Sequence, residues 1–499
     1  MDHTPVDVIV VGAGNAGLCA ALAAREQGAS VTVLEAAPVA EQGGNTAFTA
    51  GSMRVVYDGV EDLRGLMPDL SEQQIAETDF GSYRAEQFYD DMARVSEHRS
   101  DPDLVELLVT RSYPTLRWMR AKGVRFLPIY GRQAFKLDGK FTFWGGLTVE
   151  SWGGGRGLVE SLLAAARREQ ITVVHETRAI GLARGESGIE GVRVRRRGEE
   201  HFLPAKSVVL AAGGFEANSE WRTRYLGPGW DLAKVRGSRY NQGDGIAMAL
   251  EIGASPAGNW SGCHAVGWDR NAPEFGVLAV GDGFQKHSYP FGIMVNAAGR
   301  RFVDEGADFR NYTYAKYGRV ILFQPGQFAY QIFDSKLTPL LRDEYRIREV
   351  TVIKADSISQ LADRLQAEGV DREGFLKTIE TYNAAVRQET PFNPNVKDGR
   401  RTVGLDIDKT NWANTIEEPP FEAYGVTCGV TFTFGGLRIS TEAEVVELDT
   451  TPIPGLYACG ELIGGLFYFN YPGGSGLTAG AVFGRIAGTN AGRHAGHRP

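Results

Sequence analysis

The chain opens on a continuous apolar run, Val8-Ile9-Val10-Val11, rich in β-branched residues, the pattern of a strand buried on both faces. The run stops at Gly12, and an Ala-rich stretch from Leu18 to Gln27 predicts a helix closed by Gly28. Ser30 to Leu34 reads as a second strand ending at Glu35. Between residues 61 and 123 the apolar positions Leu104, Leu107, Leu108, Leu116 and Met119 fall at helical spacing. Val124 to Trp144 is aromatic and strand-like, suited either to core packing or to lining a pocket. Gly153 to Gly157 opens a predicted helix from Leu158 to Arg168, followed by a strand from Ile171 to Glu176. Alternation from Arg178 to Val209 predicts a meander turning at Arg197-Gly198-Glu199, and Val208 to Leu210 reads as another buried strand running into Gly213-Gly214.

From about residue 256 the pattern changes to mixed strands and aromatics, with a helical stretch from Ser357 to Arg387. The opening pattern then returns: Ile453 to Glu461 is a short strand ending in Gly460-Glu461, and Leu477 to Gly488 predicts a final helix after Gly476. A chain of 499 residues exceeds what one hydrophobic core usually spans. The pattern predicts an α/β domain built from residues 1–255 and 428–499, interrupted by an α+β insert at 256–427.

Strand, Gly12-x-Gly14-x-x-Gly17, helix, second strand and Glu35 occur in the order of a dinucleotide-binding βαβ unit. Gly12 serves the tight turn, Gly14 the close approach of backbone to a pyrophosphate, and Gly17 the packing of helix on strand. The helix N-terminus faces the phosphates, and Glu35 accepts bonds from ribose hydroxyls. The loop Gln42 to Gly51, rich in small residues and hydroxyls, either wraps the cofactor or is a surface loop. Glycine is abundant, at 63 residues with several pairs and one triplet, which implies backbone close to a large ligand or many tight turns.

A net charge of −8 and no long basic run exclude a nucleic-acid-binding reading. Cys19, Cys263, Cys428 and Cys459 are widely separated, so neither a metal site nor a disulfide framework is expected. No apolar run is long enough to span a bilayer, and the N-terminus lacks the features of a signal peptide, so a cytoplasmic protein is expected.

Taken in order, the dinucleotide motif, Glu35, Gly43-Gly44, Leu210 to Gly214, Gly299-Arg300-Arg301-Phe302-Val303-Asp304-Glu305, Phe434-Gly435-Gly436-Leu437 and Tyr457-Ala458-Cys459-Gly460-Glu461 with its terminal helix resemble the fumarate reductase/succinate dehydrogenase flavoprotein superfamily. The resemblance implies a Rossmann-like FAD-binding domain with an inserted capping domain, and substrate held between them. It implies an FAD site formed by Gly12, Gly14, Ala16, Gly17, Glu35, Gly43, Gly44, Asn45, Thr46, Gly51, Ala212, Gly213, Gly460, Glu461, Ser475, Gly476 and Leu477. A helix N-terminus near Gly476 also has the dipole that favours negative charge on a reduced flavin. Some members attach FAD through a histidine in the loop after the acid; residues 36–60 contain none, so non-covalent FAD is expected.

The superfamily exchanges hydride with a carbon β to a carboxylate or ketone while a proton moves at the α carbon. Near the position of the family's proton-donating arginine, after Glu305, this chain has Arg310, offset by one residue. Arg310 is placed either in catalysis or in a salt bridge to Asp304, Glu305 or Asp308. Where fumarate reductases carry a histidine and a carboxylate-binding arginine, this chain has Thr431-Phe432-Thr433-Phe434 and Asn470-Tyr471-Pro472, which weakens a dicarboxylate clamp. Tyr471-Pro472-Gly473 is similar to the tail loop of 3-ketosteroid and cyclic-ketone dehydrogenases, where a tyrosine polarises a ketone; its other reading is a wall of the flavin site. Several stretches, among them Val235 to Gly243 and Phe302 to Phe309, resemble FAD-dependent tricarballylate dehydrogenases, for which Arg236, Arg239, Arg310 and Arg319 are candidate cations or ordinary surface arginines. The apolar loop Leu466 to Tyr471 points instead to a ring-like, less charged substrate.

The expected activity is therefore an FAD-dependent dehydrogenase that introduces a C=C bond next to a carbonyl or carboxylate, with Tyr471, Arg310 and Glu305 as catalytic candidates. The alternatives are a tricarballylate dehydrogenase proper, or a reductase of the enoate or fumarate type. No haem-attachment motif or iron–sulfur cysteine set is present, so a separate electron acceptor or donor is expected.

Overall fold

A computed structural model of the chain describes residues 5–144 and 146–497. The outer limits of the expected domains, residues 1 and 499, lie outside the described residues. The opening strand, Val6–Val11, lies at the centre of an eight-stranded sheet, with Val31–Leu34 parallel on one side and Glu199–Leu210 parallel on the other. Thr172–Val174 extends the sheet beyond the second strand. Glu199–Leu210 does two things: its first half closes the meander Thr177–Gly185, Gly188–Arg196, and its second half pairs with the opening strand. The last strand, Pro452–Ala458, adds in parallel to Val208, Val209 and Leu210, which brings the end of the chain back beside its start.

The helix Asn15–Glu26 follows the opening strand, and the final helix, Ser475–His497, lies directly against it. Glycines four residues apart make this approach possible. A Cβ at Gly484 would fall 2.4 Å from the Ala16 carbonyl oxygen, and one at Gly488 would fall 2.0 Å from that of Ala20. The two helices therefore touch backbone to backbone, and the Asn15 side-chain amide donates to the Leu477 carbonyl at 2.8 Å. Both helix N-termini open on the same place.

A second, six-stranded sheet is organised around one long strand, Phe421–Leu437. Pro256–Asp269, Ala329–Phe333 and Val352–Ala355 pair with it antiparallel, Ile293–Asn296 extends the sheet, and Lys234–Val235 joins in parallel. The seam expected between residues 427 and 428 lies inside this continuous strand. A separate apolar core, with Ile332, Leu361, Phe375 and Tyr382, sits under the helices Ile358–Ala367 and Arg372–Ala385. No helix among the described residues is long and apolar enough to cross a membrane.

Candidate active site

One cleft runs from the opening glycine turn to the tail loop, in two compartments that share Asn15, Ala16, Asn45, Thr46, Gly460 and Glu461. The first compartment has an empty volume of ≈ 810 Å³ and is walled by Gly12, Gly14, Glu35, Ala212, Gly213, Ser238 and Asn241. The second has an empty volume of ≈ 1000 Å³ and reaches Arg132, Arg236, His264, His287, Arg310, Tyr314 and Tyr471.

The first compartment fits a dinucleotide. Gly12 has φ +109, and a Cβ there would collide with the Ala211 carbonyl oxygen at 2.3 Å. A Cβ on Gly17 would lie 2.0 Å from the Gly12 oxygen, so these two glycines are required by packing of strand, turn and helix. Gly14 differs. Its Cβ would meet nothing nearer than Thr46 Oγ1 at 3.5 Å, so the protein itself tolerates a side chain there and the bare backbone faces the open cleft. Glu35 is fixed by its own backbone neighbours: Oε2 accepts from the Ala13 N–H at 3.0 Å and Oε1 from the Ala37 N–H at 2.8 Å. Burial pushes its carboxyl up, and these N–H groups oppose that, the condition for a carboxylate that presents its remaining lone pairs to hydroxyls. Thr46 Oγ1 accepts from the Asn15 N–H at 3.0 Å and ties the loop after Glu35 to the helix N-terminus.

Several expected cofactor residues are placed elsewhere. Gly17, Gly43, Gly51 and Ser475 do not line the cleft. A Cβ at Gly43 would press on Val159 at 2.9 Å, one at Gly51 on Ser151 Oγ at 2.2 Å, and Ser475 Oγ donates to the Pro472 carbonyl at 2.5 Å. Their smallness or hydroxyl serves the packing of the cleft wall. Gly44, Asn45, Thr46, Ala16, Ala212, Gly213, Gly460, Glu461, Gly476 and Leu477 do line it.

In the second compartment the structure corrects the catalytic set. Glu305 does not reach the cavity. It is fully buried, accepts from Arg301 Nε at 3.1 Å and Nη2 at 2.5 Å, and takes the Met294 N–H at 2.8 Å, so it holds the insert together. Arg310 does line the cavity and makes none of the expected salt bridges: Asp308 pairs with Arg94, and Asp304 takes Thr410. Arg310 instead donates to His287 Nδ1 at 3.1 Å and to the Arg132 carbonyl. Arg236 makes one long bond to Thr431 Oγ1, at 3.4 Å. Arg236 and Arg310 are 5% and 8% exposed, form no ion pair among the described residues, and each has an unpartnered Nε. Arg239 and Arg319, the other two cation candidates, are exposed.

Tyr471 meets Tyr314, which the sequence reading did not single out, at 2.6 Å between hydroxyls. Tyr314 arrives there because Gly318, one turn further along its helix Tyr314–Leu322, lets that helix lie on the strand Pro256–Asp269; a Cβ on Gly318 would fall 2.4 Å from the Val266 nitrogen. The same strand supplies His264, whose ring stands edge-on to Tyr314 at 4.9 Å and against Tyr471 at 4.7 Å. Burial pushes both phenols up, and burial together with nearby arginines pushes His264 and His287 well below the ordinary histidine range. At neutral pH the compartment therefore presents neutral phenols, neutral imidazoles and buried guanidinium groups. The apolar loop is not the expected lining: only Tyr471 of Leu466 to Tyr471 faces the cavity, Phe467 packs on Phe432, and Phe469 is 43% exposed.

The family model described as "FAD binding domain" matches residues 7–477. The chain is 30% identical to the probable fumarate reductase Ifc3 of Shewanella frigidimarina over 98% of its own length and 75% of that protein. It is 28% identical to 4-oxocyclohexanecarboxylate 2-dehydrogenase of Sinomonas cyclohexanicum over 98% of its own length and 94% of that protein. A solved structure of the open conformation of a flavocytochrome c3 fumarate reductase superposes with a TM-score of 0.73 at 28% identity, covering 98% of this chain and 78% of that one.

Proposed function

The chain belongs to the FAD binding domain family, within the fumarate reductase/succinate dehydrogenase flavoprotein superfamily, and from that premise we propose that it is a flavin-dependent oxidoreductase of CH–CH and C=C bonds acting on a small carboxylate. The observation that carries this reading is the pair Arg236 and Arg310: two buried guanidinium groups in one cavity, with no carboxylate partner among the described residues and each with an unpartnered Nε. Buried cations left unpaired are costly, and a substrate carboxylate supplies what they lack.

Gly12, Gly14, Glu35, Asn45, Ala212, Gly213, Glu461, Gly476 and Leu477 would hold FAD, non-covalently. When bound, FAD accepts or supplies the hydride. The chain's own residues do the rest. Arg236 and Arg310 hold the electron-withdrawing group and stabilise the enolate-like charge that develops on it. The Tyr471–Tyr314 pair, kept neutral, donates one hydroxyl proton outward while the other phenol's proton is spent within the pair, so it acts as hydrogen-bond donor or acid, not as a base. Phe432, stacked on Tyr471 with planes 8° apart, holds the phenol's orientation. Electrons reach or leave the site through a separate partner.

A second reading, a neutral cyclic ketone as substrate, is favoured by the Tyr471–Tyr314 pair, which suits a ketone oxygen as well as a carboxylate. Anaerobic mixing of the FAD-loaded protein with saturated carboxylates and cyclic ketones, and of the reduced protein with their unsaturated forms, decides between substrates and sets the direction. Loss of flavin absorbance with a carboxylate supports the first reading. Bleaching by neutral ketones alone selects the second.

A further inference from the structure

Glu216 lines neither compartment and is fully buried, yet three side chains that do line the cleft converge on it. Its Oε1 accepts from Asn45 Nδ2 at 2.5 Å and from Asn241 Nδ2 at 2.6 Å. Its Oε2 has no hydrogen-bond donor among the described residues, and the carboxyl of Glu461 is within hydrogen-bonding reach of the Glu216 carboxyl. Glu461 in turn takes the Thr433 N–H at 2.8 Å and Oγ1 at 3.2 Å on its own Oε1. Two ionised carboxylates cannot bond to each other, since each is an acceptor only. The nearby guanidinium of Arg222 does not neutralise the pair; it donates to the main-chain oxygens of Glu216, Trp230, Asp231 and Ala233.

We propose that Glu216 is the protonated member of a buried acid pair, donating from Oε2 to Glu461, and that it is a positioning residue for the cofactor cleft, holding Asn45, Asn241 and Glu461 in one arrangement. The proton belongs on Glu216 because Glu461 accepts from backbone N–H groups of Thr433 and Gly214, which favour its ionised form, whereas Oε2 of Glu216 has no N–H or O–H donor among the described residues to stabilise a negative charge. Arg222 and Cys263 face Glu216, and burial, then the charge of Glu461, pushes the Glu216 carboxyl well up. As a coupled pair the two titrate together. With the proton in place, Glu461 is an anchored anion at the junction of the two compartments, able to accept from hydroxyls of the bound nucleotide. The inference rests on FAD occupying this cleft, and one arm of its test does not need FAD.

The test compares wild type, Glu216→Gln and Glu216→Ala. Gln keeps an acceptor for Asn45 and Asn241 and places an N–H donor where the acid proton sits; Ala removes both. In the apoprotein at mildly alkaline pH, infrared difference spectra of wild type against Glu216→Gln should show the carbonyl stretch of a protonated carboxylic acid in the wild type only. In FAD titrations followed by flavin fluorescence, Glu216→Gln should bind within about threefold of wild type and Glu216→Ala about tenfold or more weakly. Absence of the protonated band from the wild type overturns the assignment of the proton. Glu216→Gln as weak as Glu216→Ala, or Glu216→Ala as tight as wild type, overturns the positioning role. A wild type that shows the band but binds no FAD refutes the cleft assignment, and the positioning role with it, while leaving the acid pair standing.

Discussion

The hydroxyls of Tyr314 and Tyr471 lie 2.6 Å apart, although the two residues come from a helix of the insert and from the tail of the chain. One phenol donates to the other, so the pair offers one free donor to a substrate oxygen. Burial holds both above their ordinary range, which keeps the donor proton in place at any physiological pH.

Tyr471→Phe is expected to lower kcat by about 10²-fold, the usual size of losing a donor to developing oxyanion charge, while FAD content is unchanged. Tyr314→Phe should lose less, because Tyr471 keeps its own hydroxyl and loses only its partner. Stopped-flow flavin reduction or reoxidation reads both. Because the phenols are raised, neither variant should remove an alkaline limb from the pH–rate profile below about pH 10.

Arg310→Gln and Arg236→Gln should each reduce kcat/KM for a carboxylate substrate by about 10²-fold or more, and for a neutral ketone much less. A substrate panel measured on both variants checks this; equal losses on charged and neutral substrates would count against a carboxylate held by these arginines.

Glu305→Gln removes one partner of a buried ion pair and leaves Arg301 uncompensated. A loss of about 3–5 kcal/mol in unfolding free energy is expected. Protein that stays folded should keep its substrate profile, since Glu305 does not reach the cavity. Denaturant unfolding together with turnover separates the two effects.

Histidines 264 and 287 are buried and held neutral. Their folded pKa lies below the unfolded value near 6.5, so the unfolded chain binds more protons as pH falls. The stability they contribute is present above about pH 6.5 and is lost on acidification below it. Melting temperature measured between about pH 8 and pH 5 should fall, and His264→Gln should flatten that slope if it folds.

The first domain was legible because its residues obey local rules. Val8 to Val11 reads as a buried strand, and the spacing of Gly12, Gly14, Gly17 and Glu35 is set by a turn, a helix start and the end of the neighbouring strand, all within thirty or so residues. The meander turn at Gly198 was equally local. What stayed hidden depends on contacts between distant segments. Nothing near Tyr314 in sequence announces that Gly318 will let its helix sit on the backbone of Val266. Arg310 and Glu305 are five residues apart and both charged, yet one faces the cavity and the other faces Arg301. The apolar stretch Leu466 to Tyr471 pointed to an apolar lining because composition does not reveal which way each ring turns; one tyrosine points in, and Phe469 points to solvent. Gly43 and Gly51 show the converse, since a glycine demanded by a neighbouring side chain looks like one demanded by a ligand.

The most direct measurement mixes anaerobic, FAD-loaded protein with small saturated carboxylates and, after photoreduction, with the unsaturated partners, following the flavin spectrum. Stoichiometric FAD and a carboxylate-dependent change in flavin oxidation state, lost in Arg310→Gln, are expected. Protein that takes up no FAD, or a bound flavin that responds to no carboxylate in either direction, would contradict the proposed function.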